Sequence, residues 1–496
     1  MQRGIEGDLL LNVTTFDITG ELVKTGVTTL IILFFLPFLL TSCSVGPDYV
    51  RPAPVETMPT AYKELSGWKV AQPQDSAIAE RWWEQYNDPV LNSLVEQVAI
   101  SNLTIASAEA QFRQARALVQ GAGAGYYPAL SAGVSATRAQ SSGKPGAGSG
   151  GGATSSHFQL PVDLSWELDL WGRIRRGVEA SQSGLQASAA DLAAVTLSAQ
   201  AELAGDYFQL RIQDARKQLL DDTTALYRTS LELTNNRYEA GLVAKTDVLQ
   251  AETQLRSAEA QMIDLGVQRA QLEHAIALLI GKPPAAFSLP PASLAAVIPL
   301  IPSGLPSELL ERRPDIAASE RRMAAANARI GVARAAYYPT VKLSAAAGLE
   351  AATLASWFSW PSRFWAVGSA VSAALFDGGL RRAQSDQAVA VYDATVAAYR
   401  SSVLTGFQEV EDNLAALRIL EEEAMIQDQA VQAARQVLNI TTHQYQAGTV
   451  AYLNVLVAQT TVLANERSAL ALLGRRLAAT VLLVKALGGG WIRNVL

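Results

Sequence analysis

Two kinds of hydrophobic periodicity run along this chain, and each occurs twice. Apolar and polar residues alternate from Leu130, and alternate more strongly from Phe158 to Leu170. The same alternation returns from Val341 and again from Trp365. A period of two predicts β-strands with one apolar and one polar face. The chain is therefore predicted to contain two β-hairpins, which together provide four strands.

A helical period follows each predicted hairpin. Between Tyr392 and Leu417, apolar residues recur three or four positions apart, a spacing between those of a coiled coil and a straight helix. The pattern predicts two very long helices, over residues 173–238 and 380–445. At about 1.5 Å per residue, each would extend roughly 100 Å. A shorter helix is predicted from 89 to about 119.

The two halves of the chain also repeat each other in sequence. The segment YEAG at 238–241 recurs as YQAG at 445–448, an offset of 207 residues. The segment YYP at 126–128 recurs at 337–339. Repetition at this scale predicts one architecture built from two similar halves rather than several unrelated domains.

A glycine follows the end of each predicted long helix. Gly241 and Gly448 are predicted to end these helices, because glycine tolerates the left-handed conformation of a helix terminus. A second helix would then return from each turn, to Ile280 and to Leu487. The predicted organisation is a signal peptide (1–42), an extended N-terminal segment (43–88), a first repeat (89–282), a Pro-rich linker (283–312), a second repeat (313–488) and a C-terminal tail (489–496).

The single cysteine follows an apolar run. Residues 25–42 carry no charge, and the run ends with Leu40, Thr41, Ser42 and Cys43. This is typical of a bacterial lipoprotein signal, in which Cys43 receives lipid after cleavage. The alternative is a single membrane-spanning anchor, since a run of 18 uncharged residues is just long enough.

Composition narrows the classes of function. The formal net charge of −6 argues against nucleic acid as a partner. One cysteine and three scattered histidines exclude a disulfide framework or a structural zinc cluster within one chain. No phosphate-binding glycine loop and no nucleophile motif is present, so neither an enzyme nor a cofactor is predicted.

Four strands with an apolar outer face suggest part of a membrane β-barrel. Four strands cannot close a barrel, and open strand edges are not tolerated in lipid, so several copies would have to assemble. The alternative is a soluble β-sandwich with one wet face. The long helices argue against a sandwich, which has no use for helical hairpins larger than itself.

Several short segments occur in a characteristic order: WELDLWGR at 166–173, RPDI at 313–316, IGVARA at 330–335 and the two Tyr-x-Ala-Gly turns. Together they resemble the outer-membrane factor (TolC) family of efflux ducts, in its NodT-type lipoprotein branch. The resemblance implies a homotrimer, with a twelve-stranded outer-membrane β-barrel continued by a periplasmic α-helical barrel. It implies a passive exit duct of a tripartite RND-type efflux system, whose partners are a periplasmic adaptor, an inner-membrane pump and outer-membrane lipid.

The resemblance also implies a gate at the periplasmic tip, formed by the two glycine turns. There Asp247 would accept a hydrogen bond from Tyr445, and Asn454 stands where the family often has an acidic residue. The alternative for Asp247 is that it only caps the helix that restarts after the turn.

Two rival functions stay open at this stage. One is a duct for protein secretion, and the other is a periplasmic coiled-coil lipoprotein that acts as a scaffold without a pore. The lipoprotein signal favours efflux over secretion, and the four amphipathic strands favour a duct over a scaffold.

Overall fold

The computed structural model describes residues 45–54, 58–64, 81–140, 154–294, 298–299, 301 and 312–490. Cys43 and the predicted signal peptide lie outside the described residues. The chain forms two compact units. Among the described residues, the first unit contains 45–47, 123–140, 154–177 and 328–386, and the second contains the rest.

The first unit is built on an antiparallel sheet. Its strands are β1 (Ala129–Ala132), β2 (Ser135–Gln140), β3 (Thr154–Leu168), β4 (Thr340–Ala351) and β5 (Arg363–Ser372). Strand β3 pairs with β1 and β2 on one side and with β4 on the other, and β5 pairs with β4. The sheet therefore has the width of four strands, as the sequence predicts.

The first predicted strand is divided into β1 and β2 by a feature of its neighbour. Gly133 lies opposite Pro161 of β3 and donates its N–H to the Pro161 carbonyl at 3.0 Å. Proline has no N–H, so the return hydrogen bond of this pair cannot form. The ladder is interrupted at that point and resumes at Ser135.

The strand register aligns apolar residues with apolar residues on one face of the sheet, and small or polar residues with one another on the other face. Leu164 of β3 lies between Leu130 of β1 and Ala345 of β4. The next residue, Ser165, pairs with Ser344. Because successive side chains point to opposite faces, one face carries the apolar rows and the other carries small or polar residues.

Six of the helices form three pairs of equal length. Helices α2 (Leu103–Ala124) and α5 (Pro314–Ala335) have 22 residues each. Helices α3 (Arg173–Glu239) and α6 (Leu380–Gln446) have 67 each, and α4 (Lys245–Leu279) and α7 (Tyr452–Ala486) have 35 each. The predicted long helices and the internal duplication are confirmed. No helix in the described part of the chain is long and apolar enough to cross a membrane.

The helix predicted over 89–119 is in fact two helices, α1 (Pro89–Ser101) and α2, separated by Asn102. The Asn102 side chain causes the break. Its Oδ1 accepts hydrogen bonds from the N–H groups of Thr104 at 2.9 Å and Ile105 at 3.1 Å, which caps α2. Its Nδ2 donates to the carbonyl of Leu279 at 2.8 Å, so the capping residue also holds the end of α4.

The same joint, in which the residue before one helix holds the end of another helix, recurs in the second repeat with a different side chain. Arg313 precedes α5 and donates from Nη1 to the carbonyl of Ala486 at 3.1 Å, near the end of α7. Gly281 and Gly488 follow the returning helices with φ of +67° and +94°. A Cβ at either glycine would lie within 2.3 Å of a backbone oxygen. Both joints therefore require glycine for its conformation and for its size.

The core of the second unit is aromatic around the start of α1. Trp82 and Tyr86 are each only 1% exposed, and the Tyr86 ring lies 4.8 Å from that of Phe208. Asp88 caps α1 by accepting backbone N–H groups, and its other carboxylate oxygen accepts the Tyr207 hydroxyl at 2.5 Å. The capping residue thus ties α1 to α3.

Two segments without regular secondary structure are held on the helices of this unit by carboxylates. Glu411 of α6 accepts the backbone N–H groups of Lys63 at 2.7 Å and Glu64 at 3.0 Å. Asp214 of α3 accepts the N–H of Ala292, in the Pro-rich linker, at 3.2 Å. These hydrogen bonds fix the two segments together with Tyr62 and Leu289, which are buried in the main hydrophobic core.

Candidate functional site

The two helical turns that the sequence singles out have the predicted geometry. Gly241 connects α3 to α4 with φ of +72°, and Gly448 connects α6 to α7 with φ of +78°. Each turn closes with a backbone hydrogen bond across the last turn of the helix, at 2.9 and 3.0 Å. A Cβ at either position would meet no atom within 4 Å, so only the left-handed backbone demands glycine there.

Tyr445 lies in the last turn of α6 and is the centre of a small core beside the turns. It is 4% exposed, and its ring meets that of Tyr452 edge-on at 5.5 Å. Ala251 of α4 and Val455 of α7 complete the cluster, so it joins the two helical hairpins. Burial raises the pKa of Tyr452 to about 12, with smaller contributions from Tyr445 and other neighbours.

Asp247 and Tyr445 line one cavity of about 780 Å³, but the predicted hydrogen bond between them is not formed. The Tyr445 hydroxyl is buried and has no hydrogen-bond partner among the described residues. Asp247 is not the capping residue either, since that position belongs to Ala244. Asp247 lies three residues after Ala244, in the first turn of α4, where its negative charge is favourable near the N-terminus of the helix.

Arg237, which the sequence reasoning missed, makes the contacts that do join the turns. From the last turn of α3 it donates Nη1 to the carbonyl of Tyr445 at 2.7 Å and Nη2 to the carbonyl of Gln446 at 2.6 Å. Its guanidinium also lies 4.5 Å from the centre of the Tyr445 ring. The sequence does show a basic residue in the last turn of a predicted helix, where it can bind helix-end carbonyls. It does not show which carbonyls, because those of Tyr445 and Gln446 lie more than 200 positions away.

Asn454 is exposed on the first turn of α7, and its backbone N–H donates to the carbonyl of Ala451 at 3.1 Å. Its predicted place in a neutral polar ring at the tip stays a prediction. Within the described ranges, no group of three or more His, Cys, Asp or Glu side chains is placed to hold a metal ion.

The chain was compared with protein-family models and with known proteins, and both comparisons point to one family. The model of the family described as "Outer membrane efflux protein" matches residues 94–282 and 305–489. The "Probable efflux pump outer membrane protein TtgC" of Pseudomonas putida is 31% identical over 460 residues, covering 92% of this chain and 94% of that protein. The "Pyoverdine export outer membrane protein OpmQ" of Pseudomonas aeruginosa is 32% identical over 467 residues, covering 91% and 96%.

Solved structures agree with the sequence matches. The outer-membrane channel OprN is 33% identical and superposes with a TM-score of 0.85, covering 90% of this chain and all of that one. The outer membrane protein VceC of Vibrio cholerae is 29% identical with a TM-score of 0.77, covering 83% and 98%.

These matches confirm the predicted fold class, a mainly helical, internally duplicated chain that combines β-barrel strands with helices of an α-helical barrel. They also confirm the predicted function as an outer-membrane channel component of an efflux system. The chain belongs to the outer membrane efflux protein family.

Proposed function

We propose that three copies of this chain form the passive exit duct of a tripartite RND-type efflux system, gated at its periplasmic tip. The observation that carries the proposal is the four-strand-wide sheet. Strands β1, β2 and β5 are paired on one side only within the described residues, and one face carries apolar rows. Unpaired edges are not tolerated in lipid. Three such sheets would close a twelve-stranded barrel.

The partners of the proposed duct are a periplasmic adaptor and an inner-membrane pump. The chain itself supplies no energy source in this proposal, so export depends on the pump. The cargo is proposed to be small molecules, because matched relatives are named for the efflux of toluene and the export of pyoverdine.

Deletion of the gene and complementation test the proposed function. Cells without the protein should accumulate a fluorescent efflux substrate, and the wild-type chain should restore its export. The purified protein should run as a heat-modifiable trimer and conduct ions in planar bilayers. A trimer that never conducts would favour the scaffold alternative, and loss of secreted proteins without loss of small-molecule export would favour a secretion duct.

Lipid attachment at Cys43 is a second part of the proposal. Its support is the apolar run that ends at Cys43, together with the contacts that follow. The Val45 N–H donates to the carbonyl of Trp171 at 3.2 Å. Gly46 packs so closely on Gly331 that a Cβ would lie 2.5 Å from the Gly331 Cα. The chain is thus fixed beside the junction of β3 and α3, two residues after Cys43.

Metabolic labelling tests the lipid attachment. Labelled palmitate should mark the wild-type protein and not the Cys43→Ser variant, while trimers of the variant should still assemble because the barrel anchors itself. Several acyl chains together anchor a protein stably, whereas one chain binds weakly. Equal labelling of the two proteins would refute lipidation at this residue.

A further inference from the structure

We propose that Arg237 is the clamp that holds the two helical turns of one protomer together, and that it thereby keeps the tip closed at rest. The proposal rests on the proposed function as a gated duct and names the positioning residue of that gate. It replaces the expected bond between Asp247 and Tyr445, which the protomer does not form.

The first support is the pair of hydrogen bonds that Arg237 makes outside its own hairpin. The last carbonyl groups of a helix have no partner within the helix and carry its negative dipole end. The guanidinium fork reaches two consecutive carbonyls at this helix end, those of Tyr445 and Gln446, at 2.7 and 2.6 Å, and the Tyr445 carbonyl also accepts the N–H of Gly448. Bonds with a charged donor are stronger than neutral ones. Arg237 therefore links the end of α3 directly to the end of α6.

The second support is the ring contact. The guanidinium lies 4.5 Å from the centre of the Tyr445 ring, within the range of a cation–π interaction. Tyr445 holds its place through this contact and through its packing on Tyr452, whereas its hydroxyl makes no hydrogen bond in the described part of the chain. The phenol ring rather than the hydroxyl is thus the part of Tyr445 that joins the hairpins.

The third support is the asymmetry between the repeats. The offset of 207 residues that relates the two turns places Gln444 at the position equivalent to Arg237. The carbonyls of Arg237 and Gln444 each accept an N–H within their own turn, so the two turns differ in the side chain and not in the backbone. Gln444 is neutral, so the charged link runs in one direction, from the first hairpin to the second, and adds to the buried cluster around Tyr445.

Three variants and one control test the clamp. Arg237→Gln removes the charge and the fork, and Arg237→Lys keeps the charge but cannot span two carbonyls in the same way. Tyr445→Phe removes only the hydroxyl. The control is Arg256→Gln, which changes an exposed arginine of the same hairpin whose contact is to Glu259 at 2.9 Å.

Resting conductance in planar bilayers and vancomycin susceptibility of cells are the readouts. Arg237→Gln should raise both about tenfold or more, because a modest change in the free energy of closure shifts the open population strongly. Arg237→Lys should give an intermediate rise. Tyr445→Phe and Arg256→Gln should stay within about twofold of wild type.

Assembled Arg237→Gln trimers with the resting conductance of wild type would overturn the clamp. Leakage in Tyr445→Phe but not in Arg237→Gln would overturn it in favour of the bond to Asp247. If Arg237→Gln lowers the yield of heat-modifiable trimer, the same comparison is made with Arg237→Lys, and wild-type conductance there overturns the proposal. Export of a fluorescent substrate by the wild-type chain tests the proposed function separately, so a duct without this clamp is distinguishable from a protein that is no duct.

Discussion

A single added charge should distinguish the two faces of the sheet. Leu164 and Ser165 are neighbours on β3, so they lie at nearly the same height, but their side chains point to opposite faces. Arginine at either position adds the same charge, although it adds more volume in place of Ser165 than in place of Leu164. The pair Leu164→Arg and Ser165→Arg therefore differs in the face that receives the charge, and the difference in added volume acts against the expected order.

The expected cost follows from the register. Leu164 lies in a row with Leu130, Ala345 and Val367, which would face lipid in the proposed barrel. An arginine on the lipid face costs about 2–4 kcal/mol at mid-membrane and about 0–1 kcal/mol near the interfaces. Leu164 lies four residues from the end of β3, so about 1–3 kcal/mol per protomer is expected. In a trimer this cost would occur three times.

The assay is the yield of heat-modifiable trimer in outer-membrane fractions, together with its melting temperature. Leu164→Arg should lower both, and Ser165→Arg should leave them close to wild type because the opposite row is small and polar. Leu164→Phe is the control for added bulk and should be tolerated. A larger loss in Ser165→Arg than in Leu164→Arg would refute the assignment of the faces.

Two further predictions concern the helical unit. Gly488→Ala should lower the melting temperature much more than Gly448→Ala. Both glycines have positive φ, which strains any other residue by about 1–2 kcal/mol, but only at Gly488 would the added Cβ lie 2.2 Å from a backbone oxygen. Equal losses in melting temperature would contradict the steric argument. Burial, with the nearby charge of Glu202, raises the pKa of Asp206 to about 6. The folded state then binds more protons than the unfolded state between about pH 4 and pH 6, so this group's contribution to stability falls as pH rises through that window. Asp206→Asn, which introduces the residue that the second repeat has at Asn413, should therefore raise the melting temperature more at pH 7.5 than at pH 4.5, and an equal gain at both would contradict the shifted pKa.

Features with a local cause could be predicted from the sequence. The period of the apolar residues predicted both 67-residue helices to within a few residues, because neither contains a proline and a helix continues until a turn signal ends it. Gly241 and Gly448 supplied those signals, and both adopt the positive φ expected of them. Strand alternation likewise predicted the width of the sheet and the residues on each face.

Features that depend on distant partners could not be predicted. At the break between α1 and α2, the Asn102 side chain caps α2 and also donates to the carbonyl of Leu279, and the sequence near Asn102 does not indicate that distant partner. The contact between Arg237 and Tyr445 spans 208 positions. Asp247 and Tyr445 line one cavity beside the two turns, but a bond between them was inferred from a resemblance and depends on side-chain directions that only the packing decides.

The equal helix lengths of the two halves have an evolutionary consequence. One half contains two strand widths, a 67-residue helix and a 35-residue helix, so six identical half-length chains could in principle supply the parts that three full chains supply in the proposed trimer. In such an ancestor every tip would be the same. In the full-length chain the two turns can differ, and they do so at Arg237 and Gln444. Every protomer therefore carries an unequal pair of turns in which one holds the other, whereas six identical half-length chains could not provide such a pair.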